Sequence, residues 1–291
     1  AAESFSIYNP TDSPIDLTNY YICDDEDYYT MQTEDELSPS HIASGFTARF
    51  PSINIESGDT LNIILNENYT EYYGEEFIPD IIMYGADNNS MLETEIGSFG
   101  GASDKINDDA EMIILFYWDG NLSSPIQDVD YFIWGNNQNA IDKSDVPGYQ
   151  SDTFADDQLF FEEIAENYYA YSRIGTDEVD ETQTGGNGIT GHDETSEIFN
   201  QSWEIILNPL LPEPIAGCTD ATACNYDENA EVDDDSCEYS CLGCTDSSAE
   251  NYIPSATIDN GACNISGNSI QYIIEQNQGS ECDEDLSSSY Q

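Results

Sequence analysis

The chain has 291 residues and carries 60 acidic against 4 basic side chains, which gives a formal net charge of −56 at pH 7. Four cations cannot form a basic surface, and no apolar run reaches 18 residues, so the sequence argues against nucleic-acid partners, anionic lipid surfaces and membrane insertion. Low hydrophobicity with such a charge is typical of disorder, but 12% aromatic residues, including 20 tyrosines, favour a packed core.

The first 208 residues predict an all-β domain. Short apolar or alternating runs recur between turn signals, and only residues 156–166 have helical periodicity. Many short strands without intervening helices predict a β-sandwich. The longest apolar run, 112–118, is expected at the centre of a sheet because both of its faces are apolar. The predicted strands are 5–8, 16–22, 61–65, 81–84, 112–118, 129–134, 168–173 and 203–207.

Two acidic segments of this domain are candidate cation sites. Residues 24–27 are four consecutive acids, for which a solvated charge run is an equal alternative. His192, Asp193 and Glu194 follow a glycine-rich loop and are candidates to help hold a cation, although a single histidine is more often structural. The loop at 186–191 matches GxGxxG, but no βαβ unit surrounds it, so a dinucleotide site is not predicted.

The sequence predicts no enzyme and no catalytic residue. A nucleophile elbow of the form GxSxG is absent from the sequence. Pairs of carboxylates, which glycoside hydrolysis requires, are unavoidable among 60 acids and therefore carry no information.

Four stretches of the domain resemble the lamin tail domain family. Residues 8–20, YNPTDSPIDLTNY, are similar to its opening motif. Three further stretches resemble secreted bacterial members of the family, namely the SGD turn at 57–59, the segment 112–131 and GGNGITGHDE at 185–194. The resemblance implies an immunoglobulin-like β-sandwich with a binding or structural role and no catalysis.

A Pro-rich linker, residues 209–216, precedes an internal repeat. GCTDATACNY at 217–226 matches GCTDSSAENY at 243–252, and the match continues at a period of 26 to Cys237 and Cys263. We therefore place two repeats at 217–242 and 243–263. They resemble short Cys- and Asp-rich modules of secreted bacterial proteins that bind calcium, loosely similar to thrombospondin type-3 repeats.

The cysteines predict disulfides in an oxidising compartment. There are eight, seven of them lie after residue 217, and the two histidines are far from them in sequence, so a zinc site is disfavoured. Each repeat is too short for a core and needs covalent support. The predicted pairs are Cys218–Cys237 and Cys244–Cys263, which are equivalent, and Cys224–Cys241, with Cys23 and Cys282 left over as a fourth candidate pair.

Spaced carboxylates and amides in the repeats predict calcium as the cofactor, because calcium takes six to eight oxygen ligands. The alternative is an acidic, solvated spacer without metal. The second repeat has fewer acids, since Ile253 stands where the first has Asp227, and its site is the weaker prediction. The predicted ligands are Asp220, Asn225, Asp227, Asp233, Asp235, Asp246, Asn251 and Asp259.

Further signals agree with secretion. The opening Ala1-Ala2-Glu3 is expected to be the start of a mature, processed chain. Five sequons are candidate glycan sites in a secreted protein, although such motifs arise easily in an Asn- and Ser-rich chain. The candidate asparagines are Asn68, Asn88, Asn121, Asn200 and Asn264.

The two ends of the chain suggest a way to assemble. The family that the chain resembles usually has an edge strand before the segment that here begins at Glu3, and residues 270–277, IQYIIEQN, look like that absent strand. Its apolar positions are Ile270, Tyr272, Ile273 and Ile274. The segment either inserts into a neighbouring subunit, returns to its own sandwich, or belongs to a flexible tail at 264–291. A bridge between Cys23 and Cys282 would lock the joint.

The expected function is therefore structural. Donation to a neighbour is a head-to-tail contact, which propagates into an extracellular filament or surface layer with the chain itself as partner. The acidic surface repels other chains laterally, so thin and separate fibres are expected. The alternative is a secreted carbohydrate- or surface-binding adhesin module that binds glycans without polymerising.

Overall fold

The computed structural model describes residues 3–32, 46–85, 89–94, 97–99 and 105–265. The chain divides into two compact units, Ala1–Pro212 (unit 1) and Glu213–Gln291 (unit 2), and the division falls within the predicted linker. Strands are the main regular structure and helices are few and short, in agreement with the all-β class. Within the described ranges, no helix is long and apolar enough to cross a membrane.

Unit 1 contains twelve strands and two four-residue α-helices in its described part. The strands are β1 (Ser4–Tyr8), β2 (Ile15–Asp16), β3 (Tyr20–Cys23), β4 (Thr47–Arg49), β5 (Asn54–Ile55), β6 (Thr60–Ile64), β7 (Ile81–Ile82), β8 (Leu92–Glu93), β9 (Glu111–Tyr117), β10 (Gln127–Trp134), β11 (Tyr169–Arg173) and β12 (Trp203–Leu207). The helices are α1 (Thr70–Tyr73) and α2 (Phe199–Ser202), with 3₁₀ turns at Leu17–Asn19, Tyr28–Gln32, Ala155–Asp157 and Glu194–Ser196.

The largest sheet has the order β10-β9-β3-β4-β8 and is antiparallel throughout. Its second strand, β9, has the inner position that its apolar sequence predicts. Met112, Ile114 and Phe116 are buried and point to one face, whereas Ile113 and Leu115 alternate with them and point to the other. Both faces of this sheet therefore carry a core.

One core joins the five-stranded sheet to a three-stranded sheet of order β1-β6-β7. Ile22 and Phe50 pack there with Ile63 and Ile81. The opposite core is aromatic and reaches the antiparallel pair β11–β12, where the Phe132 and Trp203 rings stack with centroids 4.1 Å apart. Strands β2 and β5 form a further short antiparallel pair.

The helix expected over 156–166 does not form. Only the 3₁₀ turn Ala155–Asp157 is helical, because the backbone that follows bonds to the end of β10. The Phe161 N–H donates to the Ile133 carbonyl at 2.9 Å, and the Phe161 carbonyl accepts from Gly135 N–H at 2.9 Å. This tertiary pairing overrides the helical periodicity.

Seven of the eight predicted strands form with ends within two residues of the prediction, and 16–22 is the exception. The Asp16 carboxylate accepts from the Thr18 N–H at 3.0 Å and caps the 3₁₀ turn Leu17–Asn19. Local bonding by this aspartate therefore breaks the predicted strand into β2 and β3.

Unit 2 has little regular structure in its described part. Strands β13 (Ala216–Gly217) and β14 (Val232–Asp233) pair in parallel, as do β15 (Leu242–Gly243) and β16 (Ile258–Asp259). The two pairs occupy equivalent positions at a spacing of 26 residues. The buried apolar side chains between 213 and 265 are Cys218, Ala223, Cys244 and Ala249.

Candidate functional sites

Three disulfides form in unit 2, and they are the predicted pairs Cys218–Cys237, Cys224–Cys241 and Cys244–Cys263. The two equivalent bridges span 19 residues each with Cα atoms 4.8 Å apart. Each bridge joins the start of its repeat to the loop that follows the second short strand of that repeat. The covalent bonds therefore take the place of a hydrophobic core.

The proposed Cys23–Cys282 pair lies partly outside the described residues, since Cys282 is among those not described. Cys23 makes no disulfide with any described cysteine and is completely buried at the end of β3. Burial, with the nearby charge of Asp25, raises the pKa of the Cys23 thiol well above its usual value.

The aspartates predicted to bind calcium form local turns at equivalent positions of the two repeats. Asp220 accepts from the Thr222 N–H and Asp246 from the Ser248 N–H, both at 2.8 Å. The same pattern occurs where Asp233 accepts from Asp235 N–H and Asp259 from Gly261 N–H. These carboxylates lie at the surface of short loops, and no three of them converge within 4.8 Å in the described part of unit 2.

The two predicted amide ligands link the loops to each other. The Asn225 side chain donates to the Ser236 carbonyl and accepts from Glu238 N–H, both at 2.7 Å. Asn251 makes the equivalent pair of bonds, to the Ala262 carbonyl and from Asn264 N–H. A role in loop structure accounts for these asparagines whether or not a metal binds.

The first repeat also offers a carboxylate that the second lacks. The Asp227 side chain lies beside Gly217, and Ile253 occupies the matching place beside Gly243. An ion held in either repeat would take its remaining ligands from backbone carbonyls and water, and the first repeat has the richer donor set for calcium.

The acidic segment 24–27 is used inside the fold. Asp24 is buried, and its carboxylate accepts from the Phe46 N–H at 2.8 Å, while burial raises its pKa well above the usual value. Asp25 accepts from the Asp27 N–H at 2.9 Å. These contacts stabilise a loop of unit 1 and do not bring the four carboxylates together around one point.

A different group of acids does converge, in unit 1. The Glu/His cluster consists of Glu178, Glu181, His192 and Glu194, each of which places one ligand atom within 4.8 Å of the others. His192 and Glu194 are two of the three residues singled out after the glycine loop, and the third, Asp193, is not part of the cluster. Glu178 and Glu181 carried no sequence signal among so many acids. The cluster has the side chains to bind a metal ion.

Backbone contacts position the cluster. Glycines 186 and 188 lie against His192, and a Cβ atom on Gly188 would overlap its ring. Asp193 caps the 3₁₀ turn that carries Glu194, and its N–H donates to the Thr182 carbonyl at 2.8 Å. The segment with Glu178 and Glu181 is thereby fixed beside the segment with His192 and Glu194.

The interior of the cluster is short of hydrogen bonds. Both Glu194 carboxylate oxygens and His192 Nε2 are buried and have no hydrogen-bond partner. His192 Nδ1 lies 2.5 Å from Glu181 Oε1, and its Nε2 lies 3.3 Å from Glu194 Oε1. Burial raises the pKa of Glu178, of Glu181 and, most strongly, of Glu194.

Arg173 balances part of this negative charge. Its guanidinium contacts Asp130 at 2.5 Å, Glu197 at 2.8 Å and Glu178 at 3.4 Å. It also lies over the Trp203 ring, 4.8 Å from the centroid. One arginine thus serves three carboxylates, and it makes no ion pair with Glu181 or Glu194.

Strand β1 has an open edge in the described part of the chain. It is the outer strand of its sheet and pairs with β6 alone among the described strands. The Glu3 carbonyl and the Asn9 N–H bond toward the β6 side, so the backbone groups of Ser4, Ser6 and Tyr8 point the other way. The predicted donor segment 270–277 lies outside the described residues.

Four of the five sequon asparagines are exposed, namely Asn68, Asn121, Asn200 and Asn264. Asn88 lies outside the described residues. Glycosylation at these positions stays a prediction.

Comparison with protein-family models, with curated proteins and with solved structures finds no match for this chain. The resemblances to the lamin tail domain and to calcium-binding repeats therefore rest on the sequence motifs alone.

Proposed function

We propose that this chain is an extracellular structural protein that assembles head to tail into a filament. In this proposal, residues 270–277 of one subunit add to the β1 edge of the next, and the sheets of unit 1 form an immunoglobulin-like sandwich. The open edge of β1 is the observation that carries the proposal. Edge strands with free backbone groups are templates for pairing with another chain.

The form of β1 suits an added strand. Phe5 and Ile7 turn toward the core, while Ser6 and Tyr8 are exposed. A partner strand would satisfy the outward backbone groups without disturbing the packing of the inner face. Polar Ser4 and Ser6 keep the edge soluble until a partner arrives.

The distribution of charge supports end-to-end contacts over lateral ones. The chain has four Lys and Arg residues, and Lys105 and Lys143 are buried. These two lysines therefore cannot form ion pairs with the surface acids of a neighbouring chain. Lateral association is opposed by repulsion, which salt would screen.

Calcium is proposed to stiffen unit 2, and the three disulfides agree with an oxidising, extracellular location. Removal of calcium with EDTA should lower the melting temperature of unit 2 and leave that of unit 1 unchanged. The protein and buffers must be free of zinc in this experiment, because EDTA removes zinc as well. The same unit 2 melting temperature with and without EDTA would refute a structural role for calcium.

Substitution of Ser6 tests the assembly edge. Ser6→Pro removes the outward N–H and introduces a ring at an edge position that tolerates proline, without removing a bond to β6. We expect filaments to disappear by negative-stain electron microscopy while unit 1 keeps its cooperative melting transition. Ser6→Ala is the matched control, because both variants lose the Ser6 hydroxyl bond to Asn62 but only proline lacks the N–H.

Filaments of normal length in Ser6→Pro would place the joint elsewhere. A wild-type protein that stays monomeric in calcium and binds glycans would favour the adhesin alternative and overturn the proposal.

A further inference from the structure

We propose that Glu178, Glu181, His192 and Glu194 form a buried binding site in unit 1 for a divalent transition-metal ion, of which zinc is the model. This site is distinct from the calcium sites proposed for the repeats. All four ligands belong to unit 1, so the inference does not rest on filament assembly.

Buried polar atoms of the cluster have no hydrogen-bond partner. Glu194 is 1% exposed, and neither of its carboxylate oxygens accepts a hydrogen bond. Buried carboxylates are normally paired or bound to metal, because a buried charge without a partner is costly. His192 Nε2, which also has no hydrogen bond, lies 3.3 Å from Glu194 Oε1. Two buried polar atoms of the cluster are therefore adjacent to each other without a hydrogen bond.

Negative charge is concentrated in and around the cluster. The cluster contributes three carboxylates, and Asp130 and Glu197 lie beside it on Arg173. Five carboxylates therefore lie in this part of unit 1 around one guanidinium, which pairs with three of them. A divalent cation would bind where the remaining negative charge is concentrated, next to Glu181 and Glu194, with which Arg173 makes no ion pair.

The four side chains of the cluster favour a transition metal over calcium. Calcium prefers six to eight oxygen ligands, whereas this cluster offers four side chains, one of them an imidazole. Imidazole with carboxylates suits zinc and its transition-metal neighbours. Ligand atoms around a tetrahedral zinc ion are about 3.3 Å apart, so a group already within 4.8 Å needs only small side-chain movements to close.

The glycine loop gives the histidine a fixed place. The Gly188 N–H donates to the His192 carbonyl at 2.9 Å, and the Ile189 N–H donates to the Asp128 carbonyl of β10 at 2.8 Å. The loop is thus attached to the five-stranded sheet and holds the ring where a larger residue at 188 would not fit. A metal ligand held by the backbone in this way is preorganised for binding.

Zinc titration of the full chain tests the site. Metal-free protein is prepared with EDTA, dialysed, and titrated with ZnCl₂ in excess CaCl₂, which occupies weak surface carboxylates. We expect one tight zinc equivalent by isothermal calorimetry and a rise of about 5 °C in the unit 1 melting temperature at hundredfold excess over Kd. Glu194→Gln should weaken binding at least tenfold, whereas Glu204→Gln, the same change at an exposed position of β12, should leave it unchanged.

Histidine NMR gives a readout that needs no variant of the cluster. The chain has two histidines, His41 and His192, so imidazole signals are resolved in the wild type and assigned with His41→Gln. Zinc should shift the His192 signal and leave that of His41 in place.

The inference is overturned if zinc leaves the His192 signal unshifted, if calcium displaces zinc, or if folded Glu194→Gln binds zinc as tightly as wild type. In that case the buried acids are held by protons rather than by metal.

Discussion

The two units handle the same acidic composition in different ways. Unit 1 contains every lysine and arginine of the chain and buries Lys105 and Lys143 beside a core on each face of its main sheet. Unit 2 has no such cation, and its described part has almost no core and holds its aspartates in local turns closed by three disulfides. A net charge that suggests disorder is thus compatible with two kinds of order, one by internal packing and one by covalent closure.

The largest contrast should appear on reduction. Each of the two equivalent disulfides closes a loop of 19 residues, and such a bridge contributes about 3 kcal/mol. Without the three bridges, unit 2 has too little buried surface to stay folded. We expect dithiothreitol to abolish the unit 2 melting transition and expose that unit to proteolysis. Unit 1 should melt as before, because Cys23, its single cysteine, makes no disulfide with any described cysteine. Loss of both transitions together would show that the units are not independent.

A smaller effect, confined to unit 1, is expected from Lys143→Met. Lys143 is fully buried and contacts Asp128 at 2.8 Å and Asp152 at 3.3 Å, and the Tyr28 hydroxyl at 2.7 Å. Removal of the ammonium leaves buried carboxylates without their cation, which costs about 3–5 kcal/mol. Urea unfolding followed by tryptophan fluorescence measures this loss. The double variant Lys143→Met/Asp152→Asn should recover part of it, and no recovery would mean that the loss comes from packing instead.

The pH dependence that Asp152 contributes to the stability of unit 1 should be a smaller effect again. Burial raises the pKa of Asp152 to about 6, although Lys143 opposes the shift. Because the folded state holds this proton more tightly than the unfolded state, the associated stability is complete below about pH 4 and is lost as pH rises through about 6. The loss is about 3 kcal/mol at most. Melting temperatures between pH 4 and 7 in EDTA should fall for this reason, with a shallower slope in Asp152→Asn; an identical slope would assign the effect to other groups.

Residues with local signals were predicted from the sequence. Alternating apolar runs predicted seven strands. The 26-residue period predicted the equivalent pairs Cys218–Cys237 and Cys244–Cys263, and Cys224–Cys241 followed as the extra bridge of the first repeat. The prediction of a helix after Asp157 was wrong, because the apolar periodicity fits a helix but the backbone of this segment bonds to β10. A backbone hydrogen bond between distant segments has no signal in the local sequence.

The Glu/His cluster was found only in part, for a related reason. The glycine-rich loop drew attention to His192 and Glu194, because the chain has two histidines and one of them directly follows this loop. Glu178 and Glu181 join them through contacts of Asp193 and Ile198 with the preceding segment. Two glutamates among 60 acids carry no such mark.

The most direct test of assembly through β1 is peptide competition with the full wild-type chain. Protein is incubated in calcium with a synthetic peptide of residues 270–277, and filament length is measured by electron microscopy. We predict end-to-end filaments without peptide, and progressively shorter ones as the peptide occupies the β1 edge, whereas a peptide of the same composition in scrambled order has no effect. Absence of filaments without peptide, or filaments that stay equally long at saturating peptide, would contradict the account.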